Sequence, residues 1–87
     1  MPTYIFDEQN HEKIASFGRE TWSLPEQIDL LTEWLTNHEA QTPVGKYSAD
    51  IGFKVRPEAS GGGAALSVNA MGIMTRLGME LLLSEYQ

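Results

Sequence analysis

The stretch Gly61–Tyr86, GGGAALSVNAMGIMTRLGMELLLSEY, decides the fold of this 87-residue chain. It reads as a glycine turn, a short strand over Ala64–Val68, a capped helix, a glycine stop and an apolar strand. Asn69 or Ser67 can cap the helix, because a short side-chain oxygen accepts from free N–H groups of the first turn. Gly78 is the residue type that most readily ends a helix in the left-handed conformation. Because one glycine joins the helix to the last strand, the helix is expected to fold back over the sheet.

Both elements of this stretch have clear apolar faces. The helix carries apolar residues at helical spacing, namely Ala70, Ile73, Met74 and Leu77. In the strand Met79–Tyr86, alternate side chains point to opposite sides of the sheet. Met79, Leu81 and Leu83 share one side, and Leu82 and Tyr86 share the other. Apolar residues on both sides predict a strand that is covered on both faces.

An earlier helix has the clearest local signal in the chain. Ser23 and Glu26 have the spacing of a capping box, and Pro25 removes an N–H group that has no partner in the first turn. The helix is predicted to run to Asn37 or His38, and it ends before Pro43.

The strand predicted next is Tyr47–Arg56, which alternates without a break and stops at Pro57. Its odd-numbered residues are apolar or small, and its even-numbered residues are mostly polar, as expected for a half-buried strand. Glu58–Gly63 is interpreted as a hairpin loop that leads into the strand over Ala64–Val68.

The N-terminal region leaves two alternatives open. Thr3–Phe6 and Lys13–Phe17 are β-prone runs separated by a polar stretch. Residues 1–12 form either the first strand, within a hairpin, or a loose arm that pairs with a neighbouring chain. The whole chain is predicted to be one small α+β domain, 1–87, of ferredoxin-like (βαββαβ) order or a near variant. Two helices would cover one face of a mainly antiparallel sheet.

The formal net charge of −6 lies entirely in residues 1–45, whereas residues 46–87 are neutral. Nucleic-acid binding needs positive charge to displace counterions, so it is not expected. A basic protein partner is compatible with this charge. The N-terminus lacks the basic segment and long apolar core of a signal peptide, and no apolar run approaches the roughly 20 residues of a membrane span. We therefore expect a cytoplasmic protein with no membrane segment.

The sequence contains no catalytic, cofactor or metal motif that stands out. His11 and His38 lack the context of a nucleophile held beside a base. The run Gly61–Gly63 lacks the following helix and the lysine of a phosphate loop. Three acids, Glu26, Asp29 and Glu33, lie along one helix flank, but three carboxylates without loop carbonyls make a poor calcium site. No cysteine is present.

The chain resembles a family of small bacterial proteins built around a domain of unknown function. The resemblance is carried by Trp22-Ser23-Leu24, the Leu-rich helix that follows, and the ending Leu77-Gly78-Met79-Glu80-Leu81…Tyr86, and it covers about residues 20–86. It implies a ferredoxin-like fold and a role like that of toxin-immunity or accessory proteins. The chain is shorter at its front than such proteins, and the resemblance assigns no functional residue.

Two functions from different classes follow. The favoured one is a non-enzymatic protein that binds a protein partner, as an immunity protein or inhibitor does, and also forms a homodimer. Its candidate partner-binding residues are Glu26, Asp29, Glu33 and Trp34, and its candidate dimer residues are Leu82 and Tyr86. The alternative is a small ligand-binding domain or enzyme with a pocket at a dimer interface. Its candidate ligand residues are Tyr47, Asp50, Lys54 and Arg56. Neither function requires a cofactor.

Overall fold

The computed structural model describes residues 3–87, in which two helices accompany a four-stranded sheet. The strands are β1 (Thr3–Asp7), β2 (Glu12–Phe17), β3 (Tyr47–Lys54) and β4 (Met79–Tyr86). The helices are α1 (Leu24–His38), which is followed by a 3-10 turn at Glu39–Gln41, and α2 (Val68–Leu77). This confirms the predicted α+β class.

The strand order across the sheet is β2-β1-β3-β4. β1 runs antiparallel to both β2 and β3, whereas β3 and β4 are parallel and are joined through α2. The sheet is therefore mainly antiparallel, as predicted, with one parallel pair. The chain order is ββαβαβ, a near variant of the ferredoxin-like order in which the two successive strands come first.

The prediction of a strand over Ala64–Val68 is wrong. Residues 64–66 have no regular structure, Ser67 is the N-cap of α2, and Val68 already lies in that helix. The physical reason is that both edges of β3 are occupied, one by β1 and the other by β4. A strand after the glycine loop would have no place beside β3. β3 itself ends at Lys54, two residues before the predicted end.

The N-terminal segment forms the hairpin of β1 and β2 within the sheet of its own chain. Asp7 stabilises the turn, because its Oδ1 accepts from the backbone N–H of Gln9 at 3.0 Å and of Asn10 at 3.1 Å. Its Oδ2 accepts from the Asn10 side chain at 2.8 Å. Of the two alternatives, the hairpin is the one observed over residues 3–17. Residues 1–2 of the arm considered above lie outside the described residues.

The core lies between the helices and one face of the sheet. α1 contributes Ile28, Leu31 and Leu35, and α2 contributes Ala70, Ile73, Met74 and Leu77, all of which are buried. Facing them are Ile5, Tyr47, Ala49, Ile51 and Met79 from three strands. Because side chains alternate along each strand, the residues between these point to the other face, which neither helix of residues 3–87 covers.

A buried polar cluster fixes α1 to the sheet. Gln27 is completely buried, and its Oε1 accepts from the hydroxyl of Thr3 at 2.5 Å. Its Nε2 donates to the backbone carbonyls of Gly18 and Thr21, each at 2.8 Å. Every polar atom of this amide is thus paired, as burial requires. The cluster holds the β2–α1 connection in place.

The capping box at the start of α1 is formed only in part. The Ser23 hydroxyl accepts from the Glu26 N–H at 3.5 Å, as predicted. The Ser23 N–H, however, donates to the Thr21 hydroxyl at 3.0 Å instead of to Glu26. That hydroxyl in turn donates to Glu26 Oε2 at 2.5 Å. The Thr21 hydroxyl therefore accepts from the Ser23 N–H, the role that the capping box assigns to the Glu26 side chain.

Gly78 has the predicted left-handed conformation, with φ 84° and ψ 41°. Its N–H donates to the Met74 carbonyl at 2.9 Å and closes α2. Its carbonyl accepts from Tyr47 N–H at 2.9 Å, at the start of β3. This one residue therefore joins α2 to β4 without a loop.

Candidate functional site

The candidate site is the sheet face that the helices leave open, which we call the open face. Two cross-strand rows form its centre. Tyr4, Asp50 and Leu82 lie side by side on β1, β3 and β4. The next row is Phe6, Ser48 and Glu80. Aromatic, leucine, serine and carboxylate side chains therefore lie side by side across this face.

Several polar groups of the open face have partners within the protein. Asp50 Oδ1 accepts from the Ser84 hydroxyl at 2.6 Å, and Glu8 Oε2 accepts from the Ser48 hydroxyl at 2.8 Å. Lys13 Nζ lies 4.5 Å from the centroid of the Tyr4 ring, which is within cation–π range. These groups brace the surface, and none of them is left buried without a partner.

A shallow concavity of about 510 Å³ opens directly to solvent on this face. It is lined by Tyr4, Phe6, Glu8, Lys13, Ser48, Asp50 and Leu82. Small-molecule sites bury most of their ligand in a concave pocket with a few converging polar groups. This concavity lacks such enclosure, and its polar groups bind one another.

An aromatic corner extends the open face at one end. The rings of Trp22 and Tyr86 are 5.6 Å apart, and Lys54 Nζ lies 4.6 Å from the Trp22 ring. The backbone holds Trp22 there, because Lys54 N–H donates to the Trp22 carbonyl at 3.0 Å. Trp22 remains 37% exposed and Tyr86 36% exposed. Sequence reasoning did not connect these two aromatic residues, since no local pattern relates positions 64 residues apart.

The four residues predicted for a ligand site are not all brought together, although two of them, Lys54 and Arg56, line one cavity. Asp50 and Lys54 share the open face, whereas Tyr47 points into the core and is only 4% exposed. The Tyr47 hydroxyl donates to the Pro43 carbonyl at 2.6 Å. Burial, and after it the negative charge of Asp7, raise the pKa of the Tyr47 phenol. Including Tyr47 in a ligand-binding face was therefore wrong, because odd-numbered residues of β3 face the helices.

The fourth of these residues, Arg56, lies beyond the end of β3. Its Nη2 donates to the Gly61 carbonyl at 2.7 Å, so it braces the glycine loop. Between this loop and the start of α1 is a second cavity of about 240 Å³. Its walls are mainly apolar and include Leu24, Pro25 and Phe53, and Lys54 and Arg56 also line it.

The three acids predicted for partner binding do lie exposed on α1. Asp29 and Glu33 are one turn apart, and Glu26 also accepts from Thr21. Within residues 3–87, the ion pair observed joins Arg76 to Glu39 at 2.7 Å and involves none of these three. We call Glu26, Asp29 and Glu33 the acidic stripe. Trp34, predicted to accompany them, is half-buried and stacks on His38 with ring centroids 4.6 Å apart.

Residues 3–87 contain no group of three or more histidine, aspartate or glutamate side chains placed to hold a metal ion. Neither helix in this part of the chain is long and apolar enough to cross a membrane. Comparisons with protein-family models, curated proteins and solved structures gave no match.

Proposed function

We propose that this chain is a non-enzymatic interaction protein of the cytoplasm, which binds a basic protein through its open face. The observation that carries the proposal is a sheet face left uncovered by helices and lined by Tyr4, Phe6 and Leu82. The polar side chains of Ser48 and Asp50 at its centre bind neighbouring side chains and do not converge on an enclosed cavity.

The composition of the open face suits a protein partner. Protein interfaces are enriched in tyrosine, tryptophan and phenylalanine, and a few such residues supply most of the binding energy. The open face offers Tyr4, Phe6, Trp22 and Tyr86, with Leu82 between them. A partner surface of complementary shape would bury them together. The carboxylates of Glu8 and Glu80 would then lie near the rim of the interface.

The charge of the chain favours a partner with a basic surface. The formal net charge is −6, and the acidic stripe adds exposed carboxylates on the helix side. Complementary charge raises the rate of encounter and excludes acidic competitors. Inhibition of a basic protein, as in the immunity-like family that the chain resembles, is one form that this interaction would take.

The test compares two lysine substitutions, one on the open face and one elsewhere. Phe6→Lys places a positive charge in the middle of the proposed site, whereas Val44→Lys changes a loop residue that is 79% exposed. Both variants and the unmodified chain are immobilised and exposed to lysate of the source organism, and bound proteins are quantified by mass spectrometry. Binding of the recovered protein is then measured by calorimetry with purified components.

We expect a basic protein that binds the unmodified chain and Val44→Lys but not Phe6→Lys, while circular dichroism shows all three folded. Equal binding by Phe6→Lys would contradict the proposal. Native mass spectrometry tests the alternative function. A small molecule that copurifies with the chain would support the alternative of a ligand-binding domain.

A further inference from the structure

The outer edge of β4 is an open hydrogen-bonding edge. β4 is the last strand of the sheet, and within residues 3–87 it pairs only with β3. Its sequence, MELLLSEY, has no proline or glycine, and it forms eight continuous residues of strand. Exposed edges of this length are templates for pairing with another strand.

The opposite edge of the sheet is protected by contrast. β2 contains a bulge, since Ile5 pairs with Ala15 and Phe6 pairs with Lys13, so that Ile14 is left over. A bulge is one of the devices that keep edge strands from pairing. β4 pairs with β3 in continuous register from Met79 to Tyr86 and has no such interruption.

Exposed apolar side chains surround the β4 edge on both faces of the sheet. Leu82 is 45% exposed on the open face, and Leu83 is 56% exposed on the helix side. On α2, Arg76 reaches towards Glu39, at the end of α1. Met71 lies on the other side of the buried stripe of α2, away from α1, and is 45% exposed. Met71 therefore adds an exposed apolar side chain on the flank of α2 above the free edge.

We propose that β4 pairs antiparallel with β4 of a second copy of this chain, with Leu82 on the two-fold axis. The pairing would place Leu82 opposite Leu82 of the second copy and Leu81 opposite Leu83. Glu80 would lie opposite Ser84, and Met79 opposite Glu85. This register contains three leucine pairs and no pair of like charges, and cross-strand pairs of these kinds decide the stability of a sheet.

The two neighbouring registers are disfavoured. A shift by one residue in one direction sets Glu80 of each copy opposite Glu85 of the other, and a shift in either direction mismatches the faces of the two sheets. Such a shift turns the open face of one copy to the helix side of its partner, because side chains alternate with a period of two. In the proposed register the two open faces lie on the same side of one eight-stranded sheet, and the two α2 helices approach each other on the opposite side.

This dimer differs from a dimer that pairs two open faces and from one that exchanges the N-terminal segment. Pairing of sheet faces through Leu82 and Tyr86 would cover the open face, whereas edge pairing leaves it free. Tyr86 lies beyond the paired residues and stays packed on Trp22. Exchange of the N-terminal segment is unnecessary, since β1 is already hydrogen-bonded on both sides within its own sheet. The dimer does not depend on the proposed partner.

The first test measures mass by light scattering and sedimentation equilibrium. The unmodified chain should have twice the 9.7 kDa mass of one copy. Leu82→Lys places two like charges together on the two-fold axis and should weaken dimerisation at least about a hundredfold. Tyr4→Lys changes the same open-face row, two strands from the edge, and should leave the dimer intact. A monomeric unmodified chain, or loss of the dimer in both variants, would overturn the proposal.

The second test needs no destabilising charge, because the chain has no cysteine of its own. In the proposed register Leu82→Cys brings two cysteines to adjacent positions, within the Cα separation that a disulfide allows. Leu83→Cys is a matched control, since its two copies are offset by roughly 7 Å along the strand as well as across it. Oxidation should link the first variant and not the second. The reverse pattern, or no link in either, would overturn the register.

Discussion

At Gly78, two independent constraints require glycine. Its φ of 84° lies in the left-handed region, and a Cβ atom there would overlap the carbonyl oxygen of Gly45. Gly45 cannot move easily, because its N–H donates to the Leu77 carbonyl at 2.9 Å. A side chain at this junction would therefore strain the backbone and push β3 and α2 apart.

We predict that Gly78→Ala lowers the free energy of unfolding by at least about 2 kcal/mol, the sum of left-handed strain and backbone overlap. Gly72→Ala is the matched control within α2. Its added Cβ would make ordinary contact with Arg76, and alanine should stabilise the helix by about 0.5–1 kcal/mol. Urea denaturation of both variants measures the difference. Equal effects would mean that neither constraint operates.

Asp7 makes stability depend on pH in the acid range. The hydrogen bond from the Asn10 side chain, followed by the backbone N–H groups of Asn10 and Gln9, holds the pKa of Asp7 below its usual 3.8, although burial opposes this. A carboxyl with a lowered folded-state pKa stabilises the fold above its unfolded pKa. That contribution is lost as the pH falls below about 3.8, through the folded pKa.

The stability difference between the unmodified chain and Asp7→Asn should therefore be constant at neutral pH and shrink below pH about 4. Denaturant titrations across this range give the difference, and NMR titration of the Asp7 carboxyl gives its pKa directly. A difference that stays constant down to pH 2 would show that the ionised carboxylate contributes nothing to the turn.

At the scale of single elements, α1 could be predicted almost to the residue, and the reason is chemical. Ser23, Pro25 and the leucine spacing act locally, so they indicate the helix whatever surrounds it. The strand after the glycine run was mispredicted because short apolar runs depend on an available neighbour. Both edges of β3 are already paired, and only the strand order of the whole sheet shows this.

The cap of α1 gives a prediction at this scale. Ser23→Ala should cost roughly 0.5–2 kcal/mol, because it removes the oxygen that accepts from the Glu26 N–H. Thr21→Val should also destabilise, since Thr21 binds both the Ser23 N–H and the Glu26 carboxylate. Thermal and urea denaturation of the two variants test this. If Ser23→Ala is neutral, the serine is not acting as the cap.

For the whole molecule, strand order and the composition of the open face could be predicted only in part. The alternation of Tyr47–Lys54 already separates Tyr47 from Asp50 and Lys54, so that signal was available and should have excluded Tyr47 from the ligand face. The pairing of Trp22 with Tyr86 had no such signal. It depends on where the β2–α1 connection meets the end of β3, which tertiary packing decides.

The acidic stripe gives the last prediction, which concerns the electrostatic field of the whole chain. All the net charge falls in residues 1–45, and Glu26, Asp29 and Glu33 present part of it on one exposed flank of α1. Converting all three to glutamine should leave folding intact, apart from a small loss at the cap of α1. It should weaken binding of the basic partner and flatten its salt dependence, because exposed charges are screened within about 10 Å at 0.1 M salt.

Calorimetry at several salt concentrations measures both effects. Glu12→Gln, Glu58→Gln and Glu85→Gln together remove the same number of exposed charges from positions outside both the stripe and the open face. If the stripe attracts the partner, its loss should lower affinity more than loss of this control set does. An unchanged affinity and salt slope would identify the stripe as a solvated surface without a part in binding.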